Sequence, residues 1–375
     1  MVPAPIRRCT AACAASLFLA CGHGEAFVTS ATTSGPSSAG PDVRLTYNAE
    51  QDYWPTWTED GQGILYSFVH PDTAAQHRCI GLLPKAGGAT TWQLCDDRAI
   101  QRDSVNSFPA YALGNDGRLL YVEAVARRGV GATTPAHTTL WLADTATPFQ
   151  RQQLLSLPTT VTGTAVAWLA DITWTGPTSF VALGQDFVPI GHCQFCAATD
   201  STFPGVIVLR GSIVAGGLAL TTVSGTAGAS SYSLAEGGTS IAFTMRDDRR
   251  LYKVPLSGGA PVAVATVSLS GNAQLLGVSC KGTTCVVASD PVTLTNVNGN
   301  GIIFPSVGTG ATELRAVSLA SGVVQVLRTT AGIVATPQIS PITGDVVAQV
   351  GGLFGRLQTV TSAASDLHLY LGLLP

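Results

Sequence analysis

The sequence predicts an all-β fold built from a repeated unit, and three observations support this. Residues 52–68, DYWPTWTEDGQGILYSF, have the pattern of a strand, a tight turn at Asp60-Gly61 and a second strand. Weaker copies of this hairpin recur, each followed by a second pair of β-rich segments. The sequence shows no sustained 3.6-residue apolar period, so it predicts no long helix. Four short strands repeated radially form a propeller blade, so we expect a six-bladed β-propeller, with seven blades possible.

The six hairpins share a glycine at the turn, because glycine adopts the positive φ that such a turn requires. The later hairpins are predicted at residues 108–122, 166–181, 231–243, 275–287 and 335–347. The turn glycines are Gly61, Gly117, Gly176, Gly237, Gly282 and Gly344. The second pairs of strands are clearest at residues 79–95, 139–155, 205–223, 251–267 and 313–327.

The last unit is one strand short, and residues 43–47 (VRLTY) precede the first unit without a hairpin partner. We therefore expect this N-terminal strand to complete the last blade. Such a closure joins the two ends of the ring and removes an open sheet edge, which is an aggregation hazard.

The first repeat resembles a known family. Pro55-Thr56-Trp57 and Asp60-Gly61, followed by an apolar strand, are similar to the TolB-type, WD-like β-propeller repeat of bacterial envelope proteins. That repeat typically reads Pro-x-Trp-Ser-Pro-Asp-Gly. The resemblance implies a propeller over about residues 43–375. TolB's helical N-terminal domain has no counterpart in this sequence, so TolB's role is not carried over.

Residues 1–21 have the features of an export signal, with Arg7-Arg8 before a short apolar run. The sequence LFLAC, ending at Cys21, resembles the bacterial lipobox, which implies that Cys21 is lipidated; cleavage by ordinary signal peptidase is the alternative. Residues 22–42 are rich in Ser, Thr, Gly and Pro and predict a flexible tether, followed by the propeller at residues 43–375. We expect a lipoprotein of the bacterial cell envelope, held to the membrane through its N-terminal lipid. Gly22 favours the outer membrane over the inner one.

Composition and missing motifs restrict the function. Charged residues make up 11% of the chain and the net charge is −3, which argues against a nucleic-acid partner. The sequence contains no nucleophile elbow, P-loop, zinc-protease motif or dinucleotide fingerprint. On this basis we predict that the protein is not an enzyme and needs no cofactor.

Six of the nine cysteines follow the signal and Cys21, and an even number in an exported chain predicts disulfides. Strand register pairs Cys79 with Cys95 across one hairpin and Cys280 with Cys285 across another. Cys193 and Cys196 form a Cys-x-x-Cys motif, for which a local disulfide is the simplest interpretation. A redox-active pair, or a metal site with His192, remains open.

Each blade has two kinds of connection. The turns between its first and second strands, and between its third and fourth, lie on one face, here called the short-turn face. The connections between second and third strands lie on the opposite, long-loop face and are extended at residues 69–78, 126–138, 184–204, 289–312 and 351–366. Because loops on a rigid scaffold often carry function, we predict a binding scaffold for an envelope protein, peptide or glycan on the long-loop face.

The candidate binding-face residues are polar side chains in these loops: His70, His77, His137, Asp186, His192 and Asp290. The alternative hypothesis is a metal-assisted polysaccharide lyase or hydrolase that uses His70, His137 and His192. Solvent-exposed loop histidines without a function would give the same pattern. In each case we expect the function to lie away from the Asp60-Gly61 turn.

Overall fold

A computed structural model describes residues 28–30, 42–47, 52–69, 78–95, 104–127, 137–185, 188–189, 201–202, 205–215, 217–245, 248–268, 274–290, 293–296, 303–306, 312–330, 334–351 and 365–374. The described residues form almost entirely β-strands. The helical segment found among them is a single 3-10 turn, Glu236–Gly238. Within these ranges, no helix is long and apolar enough to cross a membrane.

The first half of the chain contributes two N-terminal strands and three blades. The N-terminal strands are β1 (Val28–Ser30) and β2 (Asp42–Arg44). Blade 1 contains β3 (Asp52–Trp57), β4 (Gly63–Val69), β5 (Arg78–Pro84) and β6 (Trp92–Cys95). Blade 2 contains β7 (Ser104–Leu113), β8 (Arg118–Arg127), β9 (His137–Asp144) and β10 (Thr147–Leu157). A small hairpin, β11 (Thr159–Val161) and β12 (Thr164–Val166), precedes blade 3. Blade 3 contains β13 (Trp168–Gly176), β14 (Ser179–Gln185), β17 (Gly205–Val214) and β18 (Gly217–Thr222), with β15 (Val188–Pro189) and β16 (Ser201–Thr202) between them.

The second half contributes the remaining three blades. Blade 4 contains β19 (Ala229–Ala235), β20 (Ser240–Met245), β21 (Arg250–Pro255) and β22 (Val262–Thr266). Blade 5 contains β23 (Gln274–Lys281), β24 (Thr284–Asp290), β27 (Thr312–Ser318) and β28 (Val324–Thr330), with β25 (Thr293–Asn296) and β26 (Ile303–Ser306) between them. Blade 6 contains β29 (Val334–Ile339), β30 (Val346–Gly351) and β31 (Ser365–Tyr370).

The strands form six antiparallel sheets arranged as a six-bladed β-propeller, so the predicted fold class is confirmed. In blades 1 to 5 the four strands pair in chain order from the innermost to the outermost. The six predicted hairpins are the first two strands of the six blades, and the residues that the structure describes form six blades rather than the seven that the sequence left possible.

The N-terminal strand closes the ring, as predicted. β2 pairs antiparallel with β31 and supplies the missing outermost position of blade 6, and β1 pairs with β2 beyond it. The predicted strand covers residues 43–47, whereas β2 ends at Arg44; the Leu45 amide nevertheless donates to the Leu367 carbonyl (2.7 Å). β1 lies within residues 22–42, for which the sequence predicted a tether, and these three residues form a strand.

A buried ionic group fixes the closing strand. The Asp42 carboxylate lies 2.8 Å from His368 Nδ1 on β31 and 3.7 Å from Arg328 Nη2 on β28 of blade 5. The side chains of Asp42 and Arg328 are 7% and 8% exposed. Arg328 also lies over the Tyr370 ring (4.9 Å). Side chains therefore link the closing strand β2 to blades 5 and 6, and its backbone pairs with β31 of blade 6.

Six hydrophobic clusters fill the six interfaces between neighbouring blades. Because each second strand lies between two neighbours, both of its faces are buried and its sequence is continuously apolar rather than alternating. In β4, Ile64 and Tyr66 pack toward blade 6, whereas Leu65 packs toward blade 2. The outermost strands, such as β22, are largely exposed. Apolar contacts between blades thus hold the ring around its axis.

Candidate functional site

The innermost strands of the six blades enclose the propeller axis, and each one is bulged. Every innermost strand shows a register shift against the second strand of its blade. In blade 4 the shift falls at Ser230. In the other five blades two residues face one on the partner strand, which is a β-bulge that bends the strand and redirects its side chains. These pairs are Trp54-Pro55, Phe108-Pro109, Asp171-Ile172, Leu276-Gly277 and Thr336-Pro337.

Three of the bulges place a residue other than glycine in the left-handed region. The φ angles are 49° at Trp54, 48° at Asp171 and 48° at Thr336. This conformation is costly for a bulky or β-branched side chain and is better tolerated by Asp. It persists only where neighbouring groups hold the backbone in place.

Two tyrosines from the following blades hold two of these bulges. The Tyr111 hydroxyl donates to the carbonyl oxygens of Trp54 (2.6 Å) and Tyr53 (3.2 Å) in blade 1. The Tyr232 hydroxyl donates in the same way to the carbonyl of Asp171 and to that of Val181 (2.8 Å) in blade 3. Burial raises the pKa of Tyr111 well above its usual value, so this hydroxyl keeps its proton and remains a donor.

Two tryptophans bond in the same direction around the ring, each to the preceding blade. Trp57 Nε1 donates to the Gln338 carbonyl of blade 6 (2.9 Å), and Trp174 Nε1 donates to the Ala112 carbonyl of blade 2 (3.1 Å). Each bond uses an indole N–H, which would otherwise lose its hydrogen bond to water on burial.

Serine hydroxyls connect the remaining two interfaces. Ser231 Oγ accepts from the Val278 amide (3.0 Å), which joins blades 4 and 5. Ser279 Oγ accepts from the Ile339 amide (2.9 Å), which joins blades 5 and 6. All six interfaces therefore carry a hydrogen bond that involves an innermost strand. This ring fixes the positions of the groups that line the axis.

The axis contains a cavity of about 220 Å³ that reaches the short-turn face. All six innermost strands contribute to its wall, and Thr58, Glu59 and Pro341 from the adjoining turns form part of its opening. The wall contains four aromatic side chains, namely Trp54, Trp57, Tyr111 and Tyr232. The remaining wall consists mainly of small polar and aliphatic side chains. The cavity is smaller than the roughly 300–1,000 Å³ of pockets that enclose drug-sized ligands.

The cavity is acidic. Its charged lining residues are Asp171, which is half-buried, and Glu59, which is exposed at the opening. The lining found among the described residues includes no Lys, Arg or His. Both charged side chains of the described lining are therefore acidic.

The opening is supported by a tight contact between blades 1 and 6. Gly61 has a φ of +66°, and a Cβ at this position would lie 3.0 Å from Ile342 Cγ1. At the same interface Lys85 Nζ of blade 1 donates to Asp345 Oδ2 of blade 6 (2.5 Å). The Asp345 carboxylate also accepts from Thr343 Oγ1 (2.6 Å) and from the Gly372 amide (2.7 Å). Burial raises the pKa of Asp345, but these hydrogen bonds together lower it below its usual value.

Two of the expected disulfides lie in the described part of the chain. Cys79 pairs with Cys95 (Cα–Cα 4.1 Å) and Cys280 with Cys285 (Cα–Cα 3.9 Å), each in the register derived from the sequence. Cys280 also lines the cavity, so its bridge to β24 fixes part of the wall. Cys193 and Cys196 lie outside the described residues, as does Cys21.

The predicted binding-face residues are mostly outside the described part of the chain. His137 begins β9 and Asp290 ends β24, and both strand ends adjoin long loops. His70, His77, Asp186 and His192 lie outside the described residues, so the proposed convergence of the loop histidines is not tested. In the ranges that the structure describes, no group of three metal-ligating side chains occurs.

The cavity residues were missed by sequence reasoning. The alternation of a strand places side chains on two faces, but a bulge interrupts this period, so the period alone does not show which residues turn toward the axis. An alignment of the five units at their bulged pairs shows one signal. Asp171 occupies the position at which the other bulged units have Trp54, Phe108, Leu276 and Thr336.

The sequence matches no protein-family model and no curated protein. The fold is similar to solved propellers. These include a gluconolactonase from Xanthomonas campestris (12% identity, TM-score 0.49, 88% of this chain and 89% of the other) and an oligogalacturonate lyase in complex with manganese (14% identity, TM-score 0.48, 92% and 96%). They also include TolB from Acinetobacter baumannii (12% identity, TM-score 0.46, 80% and 63%). The chain resembles TolB in fold. The resemblance to TolB seen in the first repeat is thus confirmed at the level of the fold.

These similarities correct one prediction. We predicted that the protein is not an enzyme because its sequence lacks known catalytic motifs. That prediction was wrong, because the propellers similar to this chain include a gluconolactonase and oligogalacturonate lyases. The missing motifs belong to other folds and do not exclude catalysis on a propeller. At such low identity the similarity shows the fold alone and assigns no reaction to this chain.

Proposed function

We propose that this protein is a ligand-binding β-propeller whose binding site is the central cavity, entered from the short-turn face. The observation that carries the proposal is the cavity itself, a space of about 220 Å³ lined by four aromatic side chains and fixed by hydrogen bonds at every blade interface. A rigid, concave, aromatic site with a few polar groups is the usual form of a small-ligand site. Its occupant is a small molecule or the end of a larger partner.

The proposal changes the location that we predicted from the loops. The long-loop face remains a separate proposal, supported by the length of its five extended loops, as does the metal-assisted lyase or hydrolase at His70, His137 and His192. Lipid anchoring at Cys21 and an outer-membrane location are also proposals, supported by the lipobox-like sequence. An anchored propeller with an open cavity would display its site to envelope proteins, peptides or glycans.

A channel-filling variant tests the proposal. Gln338→Trp places a large side chain in the cavity, and Thr266→Trp adds the same side chain at an exposed position on β22. The purified full chain is screened by thermal shift against neutral sugars, amino acids, amines and short peptides. We expect compounds that stabilise the wild type and Thr266→Trp but not Gln338→Trp. Stabilisation that is retained by Gln338→Trp, or no stabilising compound at all, would contradict the proposal.

A further inference from the structure

The outermost strand of a propeller blade exposes a hydrogen-bonding edge, and five blades of this protein protect it. Such an edge can pair with another chain, and proteins limit this with short strands, charges, bulges or a covering segment. In blade 1 the outermost strand β6 has only four residues, and in blade 6 the three-residue strand β1 covers β2. The outermost strands of blades 2, 4 and 5, which are β10, β22 and β28, are each bulged or irregular against their neighbours.

Blade 3 shows none of these features in its outermost strand, β18, whose sequence is GLALTT. Its six residues pair one to one with β17, from Gly217 with Val214 to Thr222 with Leu209, without a register shift. The strand contains no charged residue and no proline. It stands last in the order of its sheet, so within the described ranges no strand pairs with its outer edge. The outer edge of β18 is therefore regular, uncharged and open.

The pairing with β17 shows which main-chain groups of β18 point outward. The Val223 amide, directly after the strand, donates to the Val208 carbonyl of β17 (2.8 Å). Every second residue of an antiparallel strand directs its amide and its carbonyl to the same neighbour. Leu218, Leu220 and Thr222 therefore direct both groups away from β17. Each of these three residues offers one donor and one acceptor to an added strand.

The side chains along this edge are small or apolar. Leu218 and Leu220 are half-buried and pack against the hydrophobic cluster between blades 2 and 3. Ala219 and Thr221 are exposed on the opposite side of the strand. Like charges directly opposite each other destabilise a strand pair, and a second strand of the same sequence brings none. The edge therefore accepts an uncharged, apolar strand.

A second copy of β18 is complementary to this edge. A two-fold axis through Leu220 makes the two strands antiparallel and sets Leu220 against Leu220 of the second copy. The same axis sets Leu218 against Thr222. All three residues direct their main-chain groups outward in both copies, so each of these pairs exchanges two hydrogen bonds. The leucines of the second copy also extend the apolar surface that Leu218 and Leu220 form.

We propose that β18 is a self-association edge through which two copies of this chain form a two-fold dimer, with one sheet continuous across both copies of blade 3. The paired edge is about 20 Å long at roughly 3.4 Å per residue. Such a contact is smaller than a standard interface of about 1,600 Å², so we expect a micromolar rather than a nanomolar dimer.

The dimer leaves the proposed ligand site accessible. β18 runs from the short-turn face toward the long-loop face, so antiparallel pairing directs the short-turn faces of the two copies in opposite directions. The paired edges lie at the outside of the rings, whereas the cavity lies on the axis of each ring. Self-association is thus independent of the proposed function.

Sedimentation velocity of the purified full chain tests the proposal, from about 1 to about 300 µM, which brackets a micromolar Kd. The sedimentation coefficient should rise with concentration from that of a monomer to that of a dimer. Hydrogen exchange at both concentrations gives a second readout. The amides of Leu218, Leu220 and Thr222 should exchange about fivefold or more slowly at the high concentration. The Thr221 amide, which faces β17, should not change.

Two variants with matched controls locate the contact. Thr222→Pro removes an outward amide, which an edge strand tolerates, whereas Thr222→Ala changes the side chain and keeps that amide. Leu220→Lys places two positive charges at the two-fold axis, and Thr266→Lys adds the same charge at an exposed position of β22. Circular dichroism and Tm check that each variant is folded. Thr222→Pro and Leu220→Lys should weaken dimerisation at least about tenfold, and the controls less than about twofold.

Two outcomes overturn the inference. If the wild type stays monomeric over the whole range, β18 does not pair with itself. Binding of the capped peptide Gly-Leu-Ala-Leu-Thr-Thr by that monomer would then assign the edge to an extended segment of a different protein. If a dimer forms but both folded variants leave it unchanged, and the three amides exchange equally fast at both concentrations, the copies associate through another surface. The ligand screen with Gln338→Trp tests the cavity separately, so neither outcome decides the proposed function.

Discussion

Replacing Asp42 by Ala should loosen the closing strand more than any other single polar change in β2. The substitution removes the carboxylate that faces His368 and Arg328 and leaves a guanidinium in a site where its side chain is 8% exposed. Removing one partner of a buried ion pair costs about 3–5 kcal/mol. We take about 3 kcal/mol, because the Arg328–Asp42 distance of 3.7 Å is long for a direct hydrogen bond.

The expected shift in Tm follows from the size of the propeller. Unfolding entropy near 60 °C is roughly 2.1 cal/mol/K per residue, which for roughly 330 residues gives about 0.7 kcal/mol/K. A loss of about 3 kcal/mol therefore lowers Tm by about 4 °C in differential scanning calorimetry. Hydrogen exchange provides a second readout. The β31 amides should lose protection, whereas those of β20 in blade 4 should not.

Two variants serve as controls for Asp42→Ala. Arg44→Ala removes the pair with Asp366 (2.7 Å), but Arg44 is 36% exposed, so the expected loss is below about 1 kcal/mol. Asp42→Asn keeps the volume of the side chain and one acceptor for His368. Its loss of Tm should therefore lie between those of Asp42→Ala and Arg44→Ala. The reasoning is refuted if Asp42→Ala lowers Tm no more than Arg44→Ala does, because the buried group would then contribute nothing to closure.

Two further predictions concern the seam between blades 1 and 6. Because the pKa of Asp345 is below its usual value of 3.8, its stabilising effect is complete above the unfolded pKa and is lost as the pH falls through the lower folded pKa. Between pH 5 and pH 2 the wild type should therefore lose more stability in urea unfolding than Asp345→Asn; parallel pH profiles would contradict this. Gly61→Ala and Gly237→Ala place alanine at nearly equal φ angles, +66° and +68°, but only the first brings a Cβ within 3.0 Å of Ile342. In chemical denaturation Gly61→Ala should lower the free energy of unfolding by about 1 kcal/mol more than Gly237→Ala does. Equal losses would show that the turn of Gly61 is not in tight contact with the turn of Ile342.

The parts of the fold that depend on local pattern were predictable from the sequence. Turn glycines such as Gly61 and Gly117 located the hairpins, and the surplus strand before the first unit indicated the closure. Strand register also paired Cys79 with Cys95, because both residues lie on one hairpin. The hairpins and the disulfide need only neighbours in sequence, and the closure needs only a count of strands in each unit.

The candidate site depends on contacts between distant residues. Tyr232 holds the carbonyl of Asp171, and Trp57 holds that of Gln338, so the wall is formed by residues from different blades. The bulges also break the two-residue period that sequence analysis relies on to assign faces. Loop length, by contrast, is visible in the sequence. It directed attention to the long-loop face rather than to the cavity at the short turns.

The motif that identifies the fold also forms part of the candidate site. Trp54 and Trp57 line the cavity, and the same residues bond to blades 2 and 6, so a change in either would disturb binding and the ring together. Gln338 and Asp171 differ in this respect. Trp57 bonds to the main-chain carbonyl of Gln338, and Tyr232 bonds to that of Asp171, so their side chains can be replaced without removing these bonds. If Gln338→Trp loses ligand binding while Tm is unchanged, the effect must come from the cavity and not from an opened ring.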